Sequence, residues 1–100
     1  MKMAQTRVIG RRGKGIVMED GVLRVSYWNT YVVTWDKKTN TVTLNSNGWH
    51  TLTTKTRMNQ TSNQYGLGFY VFQKNFIWYV ELPNGETVEY EDHMTFKAAA

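Results

Sequence analysis

Pro83-Asn84-Gly85 lies between two runs that favour extended backbone, Phe76 to Leu82 and Glu86 to Tyr90, and no other feature restricts this chain as much. Proline presets φ, asparagine tolerates the left-handed region and glycine has no Cβ to clash, so the turn is chemically specified. Glu86-Thr87-Val88-Glu89-Tyr90 alternates polar and apolar residues, as a half-buried strand does. A hairpin follows. Asp20-Gly21 carries the same kind of signal between Ile16-Val17-Met18 and the run Val22 to Trp28. Tyr31-Val32-Val33-Thr34-Trp35 is dense in β-branched and aromatic residues. The polar turn Asp36-Lys37-Lys38-Thr39-Asn40 then leads to the alternating Thr41-Val42-Thr43-Leu44.

One segment breaks the strand pattern. Thr54 to Tyr65 has no alternation and ends at Gly66, a suitable residue just past a helix end. Thr53 or Thr54 can cap its start through a hydroxyl. Met58 and Tyr65, with Leu52 or Leu67 nearby, supply a narrow apolar stripe, so a short helix is expected over roughly 54–65. Its Thr, Asn and Ser residues compete for backbone hydrogen bonds, so packing from elsewhere must hold it. The predicted fold class is α+β: a small antiparallel β-sheet packed with one short α-helix. Trp49 and Trp78 are expected to be buried because each carries a large apolar area.

Composition excludes several function classes. The chain has 100 residues, 41% of them hydrophobic and 20% charged, which is globular and not disordered. It has no cysteine, so disulfides, thiolate metal sites and cysteine nucleophiles are absent. His50 and His93 are far apart and show no zinc spacing, so no metal and no cofactor is expected. The longest apolar run, Phe76 to Val80, is too short for a membrane span, and no secretory signal opens the chain. The expectation is a soluble cytoplasmic protein with no membrane partner.

Twelve basic against eight acidic residues give a net charge of +4, unevenly spread. Lys2, Arg7, Arg11, Arg12 and Lys14 crowd the first fourteen positions with no acid among them. Gly10, Gly13 and Gly15 punctuate that stretch, which reads as a flexible basic arm over 1–15 before a single α+β domain over 16–97. A solubilising tail is the competing reading. Five of the eight acids, Glu81, Glu86, Glu89, Glu91 and Asp92, collect near the other end. On an edge strand such residues deter aggregation, which is simpler than binding a cation.

The stretch Leu44-Asn45-Ser46-Asn47-Gly48-Trp49-His50-Thr51, followed by Thr53-Thr54-Lys55-Thr56-Arg57-Met58-Asn59-Gln60, is distinctive. Val71-Phe72-Gln73-Lys74-Asn75-Phe76 and Trp78 come after it. Together, over about residues 27 to 96, they resemble a family of small proteins encoded by tailed bacteriophages. The resemblance implies a phage origin and a compact domain, and it leaves the arm outside. It implies no particular activity.

Three features bear on chemistry. Gly48-Trp49 precedes the helix, and Lys55 and Arg57 fall in its first turns, where hydroxyls, backbone N–H groups and two cations can receive phosphate. The Walker glycine pattern is missing, and solvated surface cations explain the same residues. Second, the chain has more aromatics than a one-sided core can hide; Trp28, Tyr31 and Tyr70 are the candidate stacking platforms for bases. Phe76, Trp78 and Val80 are expected on one strand face, Ile77 and Tyr79 on the other. Third, side-chain amides such as Asn59, Gln60 and Gln73 can read base edges, though turns and caps use the same residues. Catalysis has little to stand on. His50 has no local carboxylate to orient it and no nucleophile to activate, so an enzyme is not expected.

The reading is therefore a small phage accessory protein that binds nucleic acid through Arg7, Arg11, Arg12, Lys14, Lys55 and Arg57 and an aromatic sheet surface. The alternative is an inhibitor or sequestering protein, acting on a host protein or a nucleotide ligand in an anti-defence role. A structural part of the virion is a third reading, and a homo-oligomer stays open.

Overall fold

The computed structural model describes residues 15–27 and 30–99. The expected arm residues Arg7, Arg11, Arg12 and Lys14, and the stacking candidate Trp28, lie outside the described residues. Eight strands and one helix follow in the order β1 (Ile16–Glu19), β2 (Val22–Tyr27), β3 (Thr30–Asp36), β4 (Thr41–Leu44), α1 (Leu52–Tyr65), β5 (Tyr70–Lys74), β6 (Ile77–Glu81), β7 (Thr87–Glu89) and β8 (Met94–Lys97). The class is α+β, as expected, but the strands sort into two antiparallel sheets. One has five strands in the order β1-β2-β3-β4-β8, the other three in the order β5-β6-β7.

Turn chemistry sets the hairpins. Asp20 and Gly21 both take positive φ, 52° and 80°, the two-residue turn whose twist suits a hairpin. Between β6 and β7, Gly85 N donates to Leu82 O at 2.9 Å, and Glu86 N donates to the Asn84 side-chain oxygen at 2.8 Å. The β5–β6 turn departs from expectation. Lys74 pairs with Ile77, which leaves Asn75 and Phe76 as the whole turn, at φ 54° and 69°. Phe76 therefore leaves the strand and Trp78's face, and it is 94% exposed. Strand β8 carried no expectation; it closes the five-stranded sheet by pairing Met94–Lys97 with β4.

The helix starts two residues earlier than expected. Thr51, and not Thr53 or Thr54, is the cap: its hydroxyl accepts from Thr54 N at 3.1 Å. Gly66 ends it in the left-handed conformation with its N–H on Ser62 O. The buried positions are Thr54, Met58, Thr61 and Ser62, so Met58 is the one fully buried large apolar side chain of the helix, with Tyr65 half-buried against the core. Polar bonds make up the difference. Asn59 donates to Val71 O at 2.9 Å and accepts from Val71 N at 2.7 Å. Ser62 does the same with Phe69, at 2.7 and 2.9 Å. These bonds also cover the edge of β5, which would otherwise stand open to another strand.

Between the sheets and α1 lies the core. Leu23, Val25, Val33, Val42 and Leu44 come from the larger sheet, Val71, Trp78 and Val80 from the smaller, and Met58 from the helix. Trp78 is 4% exposed, as expected for its size. Trp49 is not in the core: it is 67% exposed, because it follows a left-handed turn that carries it off the surface.

Candidate functional site

The loop between β4 and α1 is built around one carboxylate. Asp92 accepts from Ser46 N at 2.9 Å, Ser46 Oγ at 2.7 Å, Gly48 N at 2.9 Å and the Tyr90 hydroxyl at 2.6 Å. Burial alone would raise its pKa, but these bonds to the charged form outweigh it and bring the carboxyl down to about 2. Burial and then the bond to Asp92 push the Tyr90 phenol above its ordinary value. Asn47 and Gly48 sit at φ 54° and 81°, and Asn47 N donates to the Asn45 side chain at 3.0 Å. Trp49 leaves this turn with its N–H on Ser46 O at 2.9 Å. The loop backbone is tied at Ser46, Asn47, Gly48 and Trp49, and the indole beyond it stands largely in water.

Below the indole is a cleft of about 340 Å³ lined by Tyr27, Thr30, Val32, Ser46, Trp49, Thr51 and Thr54. Its walls are apolar with hydroxyls set among them. Thr51 and Thr54 belong to the first turn of α1, so the partly positive end of the helix forms one side, and no acid in that turn offsets it. The Arg57 guanidinium lies 5.3 Å from the centroid of the ring of Tyr27, one of the cleft's lining residues.

The structure separates several residues that the sequence grouped. Lys55 rests over Trp78 at 5.8 Å while Arg57 rests over Tyr27, since helix residues two apart do not face each other. His50 stacks on Trp78 at 4.5 Å and meets Tyr90 edge-on at 5.5 Å. Tyr31 and Tyr70 are exposed as platforms should be, at 52% and 54%, but on the outer faces of different sheets. Sequence reasoning missed Trp49, Tyr27 and Asp92. A tryptophan between Asn47-Gly48 and a helix cap was the available signal for the first, because turn residues carry a side chain outward. Asp92 gave none, being 44 and 46 residues from its loop partners.

The basic segment enters the fold next to this cleft. Gly15 O accepts from Ser26 N at 2.6 Å, one residue from Tyr27. A Cβ on Gly15 would lie 2.6 Å from Ser26 O, so this glycine serves a close approach, not flexibility. All eight acids and only seven of the twelve basic residues fall at positions 15–100. The positive excess of the chain thus resides in its first fourteen positions.

The pattern of the Kyanoviridae Gp96 protein matches residues 2–97. The chain belongs to that phage family. The Kyanoviridae Gp96 match begins at residue 2, so the basic segment is within the family's pattern and not outside it. No curated protein and no solved structure matches the chain. Among the described residues no helix is long and apolar enough to cross a membrane.

Proposed function

We propose that this Kyanoviridae Gp96 member binds single-stranded nucleic acid without catalysis, with one base against Trp49 and the backbone tracked by the basic segment. The observation that carries the reading is Trp49 itself, 67% exposed on a loop that Asp92 holds by three hydrogen bonds. An exposed indole on a tied loop offers an open ring face on which a base can stack. Three features support a nucleotide ligand: the first turn of α1 at the cleft, Arg57 on the Tyr27 ring, and the entry of the cationic segment beside Tyr27. The cleft volume, about 340 Å³, favours a second reading, capture of a free nucleotide.

A fluorescence titration with labelled single- and double-stranded oligonucleotides across a salt series tests both. Each phosphate contact contributes a log–log slope of about −0.7 for single strands and −0.9 for duplex. Replacing Arg7, Arg11, Arg12 and Lys14 with Gln should flatten the slope by about 3 units, and Trp49→Ala should weaken binding at every salt concentration. Binding of a mononucleotide that needs Trp49 but not the four cations supports the second reading. No binding at low salt rejects both and leaves a host protein as the partner.

A further inference from the structure

The outward face of the three-stranded sheet has a composition unlike the cleft. Cross-strand partners share a face, so Phe72 with Tyr79 and Glu89 forms one row, and Tyr70 with Glu81 and Thr87 the next. The rings are stacked: Tyr70 on Phe72 at 6.0 Å and 17°, Phe72 on Tyr79 at 5.7 Å and 27°. Lys74 with Ile77, 40% exposed, forms a third row on this face, and Phe76 at the hairpin tip extends it; two carboxylates against one lysine leave it net acidic. Carboxylates beside open aromatic rings repel phosphate and attract guanidinium, which takes a ring face and an acid together. Elsewhere the described fold already uses such pairs: Lys37 over Trp35, Lys55 over Trp78 and Arg57 over Tyr27. Among the described residues no cation covers Tyr70, Phe72 or Tyr79.

We propose that the aromatic and acidic face of β5-β6-β7 is a docking site for the chain's own residues 1–14, with the far cations Lys2 and Arg7 set against the rings of Tyr70, Phe72 and Tyr79 and the carboxylates of Glu81 and Glu89. Charge supports this occupant, since the segment holds Lys2, Arg7, Arg11, Arg12 and Lys14 and no acid. Reach supports it too. Fully extended, the eight residues from Gly15 back to Arg7 span about 26–29 Å and the thirteen back to Lys2 about 43–47 Å, and the longest dimension of the fold is 33 Å. A tether also holds the segment at an effective concentration on the order of millimolar, which favours its own face over that of a second copy. Polynucleotide would compete for the same cations, but the docking itself needs no nucleic acid and stands apart from the functional reading.

The chain has no cysteine, so Ala4→Cys gives the full protein a single site for a nitroxide label. Paramagnetic broadening of backbone amides is then read without nucleic acid, in low salt and again in about 0.5 M salt, where exposed charges are screened. The expected result is strong broadening at Phe72, Tyr79, Glu81 and Glu89 that fades in high salt. It should also fade in Glu81→Gln/Glu89→Gln, whose exposed substitutions leave the thermal midpoint in place. Even broadening over the whole surface, or broadening centred on Tyr27 and Trp49, overturns the proposal. So does broadening of equal strength when labelled protein is mixed with isotope-enriched unlabelled protein, since a second copy is then the donor.

Discussion

Two left-handed turns in this fold each put a large aromatic into water, and they are built in opposite ways. Asn47-Gly48 uses residues that accept positive φ, and Asp92 ties the surrounding backbone down before Trp49 projects. Asn75-Phe76 places the aromatic itself at φ 69°, where a Cβ is unwelcome, at the end of a hairpin. In the first turn the positive φ falls on residues suited to it, and the backbone that carries the indole is tied by hydrogen bonds. In the second the ring occupies a position that glycine would fill at lower cost. A residue kept where a better one exists points to a role outside folding.

The comparison can be broken from below by Trp78→Ala, the largest effect expected. Trp78 supports His50 in the first loop and lies two residues beyond Phe76 in the second. Its removal should cost about 3–5 kcal/mol and unfold a domain of marginal stability. An unchanged denaturation midpoint would take Trp78 out of the core.

Asp92→Asn attacks the anchored turn alone. It should cost about 1–2 kcal/mol, less than the full pKa shift implies because the carboxylate is only partly buried. Amide exchange at Ser46 and Gly48 should quicken while the Asn75-Phe76 turn keeps its protection. The folded pKa, about 2, lies below the unfolded 3.8, so this stabilisation is complete above 3.8 and is lost as pH falls toward 2. Thermal midpoints of wild type and variant should therefore converge across that window. A gap that stays constant would mean Asp92 acts through its shape and not its charge.

Phe76→Gly sharpens the contrast with the opposite sign. Relief of the left-handed side chain should stabilise the protein by about 1 kcal/mol, read as a higher midpoint in urea. The smallest change in stability belongs to Trp49→Ala, within about 0.5 kcal/mol, because the indole is mostly in water. Its oligonucleotide affinity should nevertheless fall about tenfold or more. A large loss of stability instead would make Trp49 a structural residue.

Local chemistry made much of the fold legible. The Asp20-Gly21 and Pro83-Asn84-Gly85 turns, the helix stop at Gly66 and the burial of Trp78 all follow from residues within a few positions of each other. What failed was extrapolation. The alternation through Trp78 and Val80 predicts Phe76 on the same face, but a two-residue turn interrupts it there. Trp49 was assigned by its size, while its placement follows from the turn before it. The cleft was less legible still. It joins β2 and β3 to the start of α1, and Asp92, which shapes its loop, is brought in from far along the chain.

Asn59 and Ser62 fasten the helix to main-chain atoms of Val71 and Phe69, not to any side chain of the strand. That leaves the outward residues Tyr70, Phe72 and Tyr79 exempt from the helix's requirements. A substitution at any one of these outward positions changes the surface that the small sheet presents without touching a bond that holds the helix behind it.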